Sequence, residues 1–178
     1  MARLCVFAGS SAGTDPAHAV VAQELSRALA RRRVGLVYGA GHTGLMGVLA
    51  DAMLAEGGEV IGVIPESMVE REWAHQGLTA LHVVADMHER KAKMNALSDA
   101  FVAIPGGIGT LEELFEVYSW AQLGFHHKPV GLLDAGGFYA PLLDMLDRMV
   151  ERGFVGREAR RLLTVERAID PLLDRVLR

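Results

Sequence analysis

A single cysteine, Cys5, stands among 178 residues. An intramolecular disulfide is therefore excluded, and a cysteine-built metal cluster is not expected. Cys5 sits in the apolar run "LCVFA" and reads as a core residue. No apolar run approaches the ~18 residues of a membrane span, and the N-terminal run is too short for a secretory core. A soluble, cytoplasmic protein is expected. There is no basic excess either. The net charge of −4 argues against a general nucleic-acid binder. The one basic cluster, "RALARRR" at 27–33, reads as the solvated end of a helix. No repeat, low-complexity tract or linker divides the chain, so residues 1–178 are expected to form one domain.

What is present is an alternation. Short β-rich apolar runs fall at 3–8, 34–39, 59–65, 80–85, 100–105, 129–134 and 161–165. Segments of helical period lie between them, near 15–32, 44–57, 88–98, 110–123, 138–152 and 165–177. Several strands are apolar without alternation, as strands covered on both faces are. This pattern predicts an α/β fold, a doubly wound, mostly parallel sheet with helices on both faces. Three glycine-rich turns close predicted strands: "GSSAG" (9–13), "GAGHTGLMG" (39–47) and "GGIGT" (106–110). At the carboxyl ends of one parallel sheet they converge on a crevice, the usual place for a nucleotide or sugar phosphate.

Familiar cofactor motifs fit poorly. "GAGHTG" has the form G-x-G-x-x-G, yet it follows the second strand. The acidic residue that should end the next strand and hold a ribose is missing, since Glu59 opens that strand. No nicotinamide or flavin is expected. "GGIGT" lacks the lysine of a phosphate-binding Walker loop. His42, His126 and His127 have no partners at metal-ligand spacing and read as loop or surface histidines. Neither a cofactor nor a metal is expected.

Two segments carry chemistry. In "ADMHERKAKMNALSD" (85–99), Met87, Arg90, Met94 and Leu97 share one helical stripe. Arg90 therefore lies on the inward side, where it either snorkels past the core or reaches into the crevice toward an anion. Lys91 can add a second cation at the rim. In "AIPGGIGTLEE" (103–113), Thr110 and Glu113 match a capping box, with Thr110 as N-cap. That reading leaves Gly106, Gly107 and Gly109 unexplained. The other reading is a helix N-terminus built to hold a phosphate, with Glu113 kept ionised by the helix dipole beside it. Such an arrangement suits a cationic transition state, as in cleavage of an N-glycosidic bond. Along the same helix Leu111, Leu114, Phe115 and Tyr118 face one way, and Val117 and Trp120 the other. Two apolar faces imply a subunit contact or cover by the tail helix.

Together these residues resemble the LOG ("Lonely Guy") family of cytokinin riboside 5′-monophosphate phosphoribohydrolases, long labelled lysine decarboxylases. "MHERKAKM" (87–94) and "PGGIGTLEE" (105–113) carry the resemblance, with support from "GSSAG", "GLMG" (44–47), "EREWAHQGLT" (70–79) and "WAQLG" (120–124). The resemblance implies a Rossmann-like homodimer that splits a nucleoside 5′-monophosphate into free base and ribose 5-phosphate. By position, Arg90 and Glu113 match the family's catalytic pair. Glu72, Arg90, Lys91, Gly106, Gly107, Ile108, Gly109, Thr110, Leu111 and Glu112 match its substrate-binding positions. One departure is Ala40, where the family usually has glycine. A binding or carrier protein on the same scaffold, without hydrolysis, is the alternative. Lysine decarboxylation is not expected, because none of Lys91, Lys93 and Lys128 is placed like a Schiff-base lysine.

Overall fold

The computed structural model describes residues 1–69 and 74–178. Seven strands form one sheet: β1 Arg3–Phe7, β2 Gly35–Tyr38, β3 Val60–Pro65, β4 Ala80–Val84, β5 Ala100–Ala103, β6 Val130–Leu133 and β7 Leu163–Glu166. Their order is β4-β3-β2-β1-β5-β6-β7. Every pairing is parallel, for example Leu4 with Leu36 on one side and with Ala100 on the other. The helices are α1 Ala17–Arg31, α2 Gly44–Ala55, α3 Glu66–Val69, α4 Met87–Leu97, α5 Ile108–Gln122, α6 Ala140–Glu151, α7 Arg157–Arg161 and α8 Ile169–Val176. The seven strands expected from the sequence all form. The short helices α3 and α7, and a 3₁₀ turn at Ala135–Gly137, were not foreseen. Segments of three to five residues are too short to show a 3.6-residue period.

Strand residues divide by parity, because successive side chains leave opposite faces of a sheet. Leu4 and Val6 join α1, α2 and α8 in one core. Cys5 and Phe7 join α4, α5 and α6 in the other. Covering on both faces explains why the strands read as unbroken apolar runs. It also settles one expectation about α5. Val117 is buried in the core on its own side of the sheet, while α8 packs on the other side and cannot cover α5. The second apolar face of that helix therefore reduces to the half-buried Trp120 and the apolar residues just past the helix C-terminus.

The order of the sheet reverses between β1 and β5, so the loops after these strands diverge and leave a crevice. The loops meet at the base of that crevice, where the Gly9 N–H donates to Pro105 O at 3.2 Å. The α2 N-terminus leans on the same loop, with the N–H groups of Leu45 and Met46 donating to Gly9 O. Three glycine-rich turns are thus brought together by topology, at the carboxyl ends of β1, β2 and β5.

Candidate active site

Helix α4 is started by a variant of the capping box, in which the Glu89 carboxylate reaches the residue before the Asp86 cap. The Asp86 carboxylate accepts from the Glu89 N–H at 2.9 Å, and the Glu89 carboxylate accepts from the Ala85 N–H at 2.8 Å. The sequence reading placed its capping box on α5 instead, at Thr110 and Glu113. About one turn is then enough to bury Arg90, 7% exposed, between β3, the turn after β2 and α5. Its Nε donates to Val63 O at 3.1 Å, and its Nη2 donates to Gly39 O at 3.1 Å. Its Nη1 lies 3.5 Å from Glu113 Oε1. Arg90 does not snorkel. It stays inside, satisfied by two main-chain carbonyls and one carboxylate, as a buried cation must be.

Helix α5 begins two residues earlier than the sequence suggested, with Gly107 as N-cap. Thr110 is therefore not the cap, and no side chain caps this helix. Thr110 is buried against Gly106, at which a Cβ would overlap the Thr110 side chain. Glu113 lies in the second turn, beyond the reach of the dipole expected to hold it ionised. Its environment acts the other way. Burial raises its pKa above the ordinary carboxylate value, the Arg90 guanidinium opposes that, and the neighbouring Glu112 adds to the rise.

Lys91 turns to the outer side of the same pair of helices. Its Nζ donates to Glu112 Oε1 at 2.6 Å and to Glu116 Oε2 at 2.5 Å. Partial burial disfavours its charge, but the two carboxylates outweigh this and hold its pKa above the usual lysine value. Glu116 was absent from the expected site, although its i, i+4 spacing from Glu112 was legible.

Gly107, Ile108 and Gly109 open α5 at the edge of the crevice. Their N–H groups, and that of Thr110, meet no acceptor among the described residues. The Ile108 side chain is 89% exposed. A Cβ at Gly107 or Gly109 would meet no atom within 4 Å, and Gly107 has an ordinary φ of −97°. Neither packing nor backbone conformation demands glycine there. A cavity of about 330 Å³ lies alongside, walled by the 9–14 loop, His18, Leu45, Pro105, Gly107 and Phe138. His18 and Phe138, in edge-on contact at 5.4 Å, had no sequence signal that marked them. A larger cavity of about 630 Å³, between α1 and α8, contains none of the candidate residues.

The structure thus gathers Arg90, Lys91, Glu112 and Glu113 at the α4–α5 contact, with Gly106 to Thr110 at the adjoining helix end. Leu111 packs half-buried against the core below them. Glu72 lies outside the described residues. No group of three or more histidine, cysteine, aspartate or glutamate side chains suited to a metal occurs among the described residues. No helix there is long and apolar enough to cross a membrane. Lys128 donates to Asn95 O at 2.6 Å and to Asn95 Oδ1 at 3.0 Å. With Lys91 bound between glutamates, neither lysine is disposed to form a Schiff base.

Comparison with known proteins identifies the family. The family model described as "Possible lysine decarboxylase" matches residues 46–176. Cytokinin riboside 5′-monophosphate phosphoribohydrolase LOG7 of Arabidopsis thaliana is 49% identical over 161 residues, covering 90% of this chain and 74% of its own length. The probable cytokinin riboside 5′-monophosphate phosphoribohydrolase LOGL3 of Oryza sativa subsp. japonica is 47% identical over 174 residues, covering 98% and 82%. The molybdenum cofactor carrier protein MCP of Chlamydomonas reinhardtii shares the fold, with a TM-score of 0.72 at 22% identity over 99% of this chain and 98% of that one. Relatives this close, and both signature helices in contact at the sheet's switch point, make the chain a member of the LOG family of cytokinin riboside 5′-monophosphate phosphoribohydrolases.

Proposed function

We propose that this protein hydrolyses the N-glycosidic bond of adenosine-type nucleoside 5′-monophosphates, N6-prenylated ones included, and releases free base and ribose 5-phosphate. The observation that carries this reading is the pairing of an uncapped, glycine-flanked helix end with a buried carboxylate farther along the same helix. At 1.5 Å per residue, Glu113 stands about 7–8 Å along α5 from Ile108. That is comparable to the span from a 5′-phosphate to the anomeric carbon of the same ribose. The free N–H groups at 107–110 take the phosphate. Gly107 and Gly109 let its oxygens approach the backbone. As the bond to the base lengthens, positive charge grows on the sugar, and the Glu113 carboxylate stabilises it and orients water toward the anomeric carbon. Arg90 holds Glu113 in place and positions the nucleotide. Water supplies a hydroxyl to the sugar and a proton to the departing base, so the reaction balances without a cofactor or metal.

Lys91, Glu112 and Leu111 belong to the rim and floor of this site, and Glu72 is proposed to reach the substrate from the segment before Ala74. The protein acts in the cytoplasm on a small molecule, without nucleic acid or membrane, as one domain that pairs into a homodimer. Leu123 and Phe125, 62% and 75% exposed at the end of α5, offer apolar surface for that pairing. The direct test is to incubate the purified protein with AMP and to measure adenine and ribose 5-phosphate. Equal molar release supports the assignment. Binding of AMP without release would leave a nucleotide carrier instead.

A further inference from the structure

The turn that receives Arg90 is held by more than Arg90. Each of its three successive carbonyls accepts from a different donor. Gly39 O accepts from Arg90 Nη2 at 3.1 Å, Ala40 O from the His75 N–H at 2.9 Å, and Gly41 O from the Tyr38 hydroxyl at 3.2 Å. Gly41 also forms an isolated antiparallel bridge with Ala74. Ala40 is in the left-handed region, with φ of +62°. A residue with a Cβ stays there only where its surroundings over-determine it. His75 is in turn fixed at both ring nitrogens. Nδ1 accepts from the Gly77 N–H at 3.0 Å, so the proton resides on Nε2, which donates to Asp51 Oδ1 on α2 at 2.9 Å.

We infer that His75 and Asp51 form a positioning dyad for Arg90, acting through the 39–41 turn. Asp51 anchors the imidazole to α2, the His75 backbone holds Ala40 in its left-handed conformation, and Gly39 O is thereby aimed at the Arg90 guanidinium. Neither residue touches the proposed substrate. The inference rests on the proposed role of Arg90 only for its effect on rate.

The test uses the full chain with Asp51→Ala and Asp51→Asn, followed by kinetics and by hydrogen exchange at the Arg90 Nε–H, observed by NMR. Asp51 is 73% exposed at its side chain, so both variants are expected to fold. Asparagine retains an oxygen that accepts from Nε2, whereas alanine does not. Asp51→Ala is expected to lower kcat about tenfold with KM changed less than twofold, and to speed Nε–H exchange at least tenfold. Asp51→Asn is expected to restore most of both. Wild-type exchange in Asp51→Ala would overturn the dyad, and so would equal damage in the two variants. The exchange measurement needs no substrate, so it decides the question even if the protein releases no base.

Discussion

The two glycine-rich turns that flank the site look alike in sequence and differ in what demands their glycines. In the turn after β2, a Cβ on Gly39 would overlap Arg90 Nη2, and one on Gly44 would overlap the Ser10 backbone. Those glycines are consumed by the protein itself. In the turn after β5, Gly106 is similarly enclosed, but Gly107 and Gly109 face open space. Glycine without an internal reason costs roughly 0.5–1 kcal/mol relative to alanine in regular structure. The first turn is a scaffold for a cation, and the second leaves two glycines open to the crevice, where the proposed phosphate would sit.

The hardest way to break this contrast is to add one methyl group to each turn. Gly39→Ala must expel the buried guanidinium from Gly39 O and disturb its pairing with Glu113. A loss of about 3–5 kcal/mol is expected, as for other broken buried pairs, together with most of the activity. Gly107→Ala should cost no more than about 1 kcal/mol, since its methyl group meets no atom and only the preference of a helix N-cap for glycine over alanine opposes it. Thermal unfolding of the two variants side by side measures this. Equal melting temperatures would refute the distinction.

Glu113→Gln probes the charge without the volume. With the carboxylate stabilising a cationic sugar, kcat should fall by about 10³ at unchanged substrate binding. A glutamine fills the same space and keeps a carbonyl oxygen beside the Arg90 guanidinium, where the carboxylate now lies at 3.5 Å, so stability should change little. Retention of more than a tenth of wild-type kcat would remove Glu113 from the reaction.

The bare turn is sharpened by removing its guest. If the 107–110 amides hold the phosphate, a nucleoside loses two or three charge-assisted hydrogen bonds at about 1.5–3 kcal/mol each. Its kcat/KM should then be roughly 10²–10⁴ below that of the monophosphate. Gly107→Val should impair the monophosphate about tenfold or more and barely affect the nucleoside. Comparable values for adenosine and AMP would show the turn to be only a turn.

Acid titration separates the roles further. Burial holds the Glu113 pKa above the ordinary 4.5. A group that works as a carboxylate loses activity as pH falls through its raised pKa, so the acid limb of kcat should lie above that value. Adenosine is the substrate to use, because it lacks a phosphate that titrates in the same range. An acid limb at or below 4.5, or activity that rises on acidification, would contradict a working carboxylate.

Most of the fold was legible because both faces of the sheet are covered, which leaves each strand as an apolar run between helical periods. The site was legible only in part. The inward stripe of α4 located Arg90, and glycine clustering located the α5 end. The acceptors of Arg90 are main-chain carbonyls of Gly39 and Val63, and any residue type carries one. The start of α5 was misread because T-x-x-E has the form of a capping box, whereas the actual cap, Gly107, has no side chain to signal it. Only the two-residue shift of α5 shows that Thr110 turns inward and Glu113 lies past the first turn.

The smallest effect is expected at Ala40, where this chain departs from the glycine usual in its family. The left-handed conformation costs an alanine about 1–2 kcal/mol relative to glycine. Against this, the methyl group is fully buried beside Gly62 and contributes about 0.8 kcal/mol. Alanine also limits the unfolded chain, by a further 0.4–1 kcal/mol or about that. These contributions oppose one another at similar size, so Ala40→Gly should change stability by less than about 1 kcal/mol in either direction. Since the carbonyls of the turn keep their donors, kcat should stay within twofold. A stabilisation above about 2 kcal/mol would mean that the turn is more strained than its conformation implies. A destabilisation of that size would make the methyl group a packing element, and the scaffold turn would then depend on the one residue of 39–41 that is not glycine.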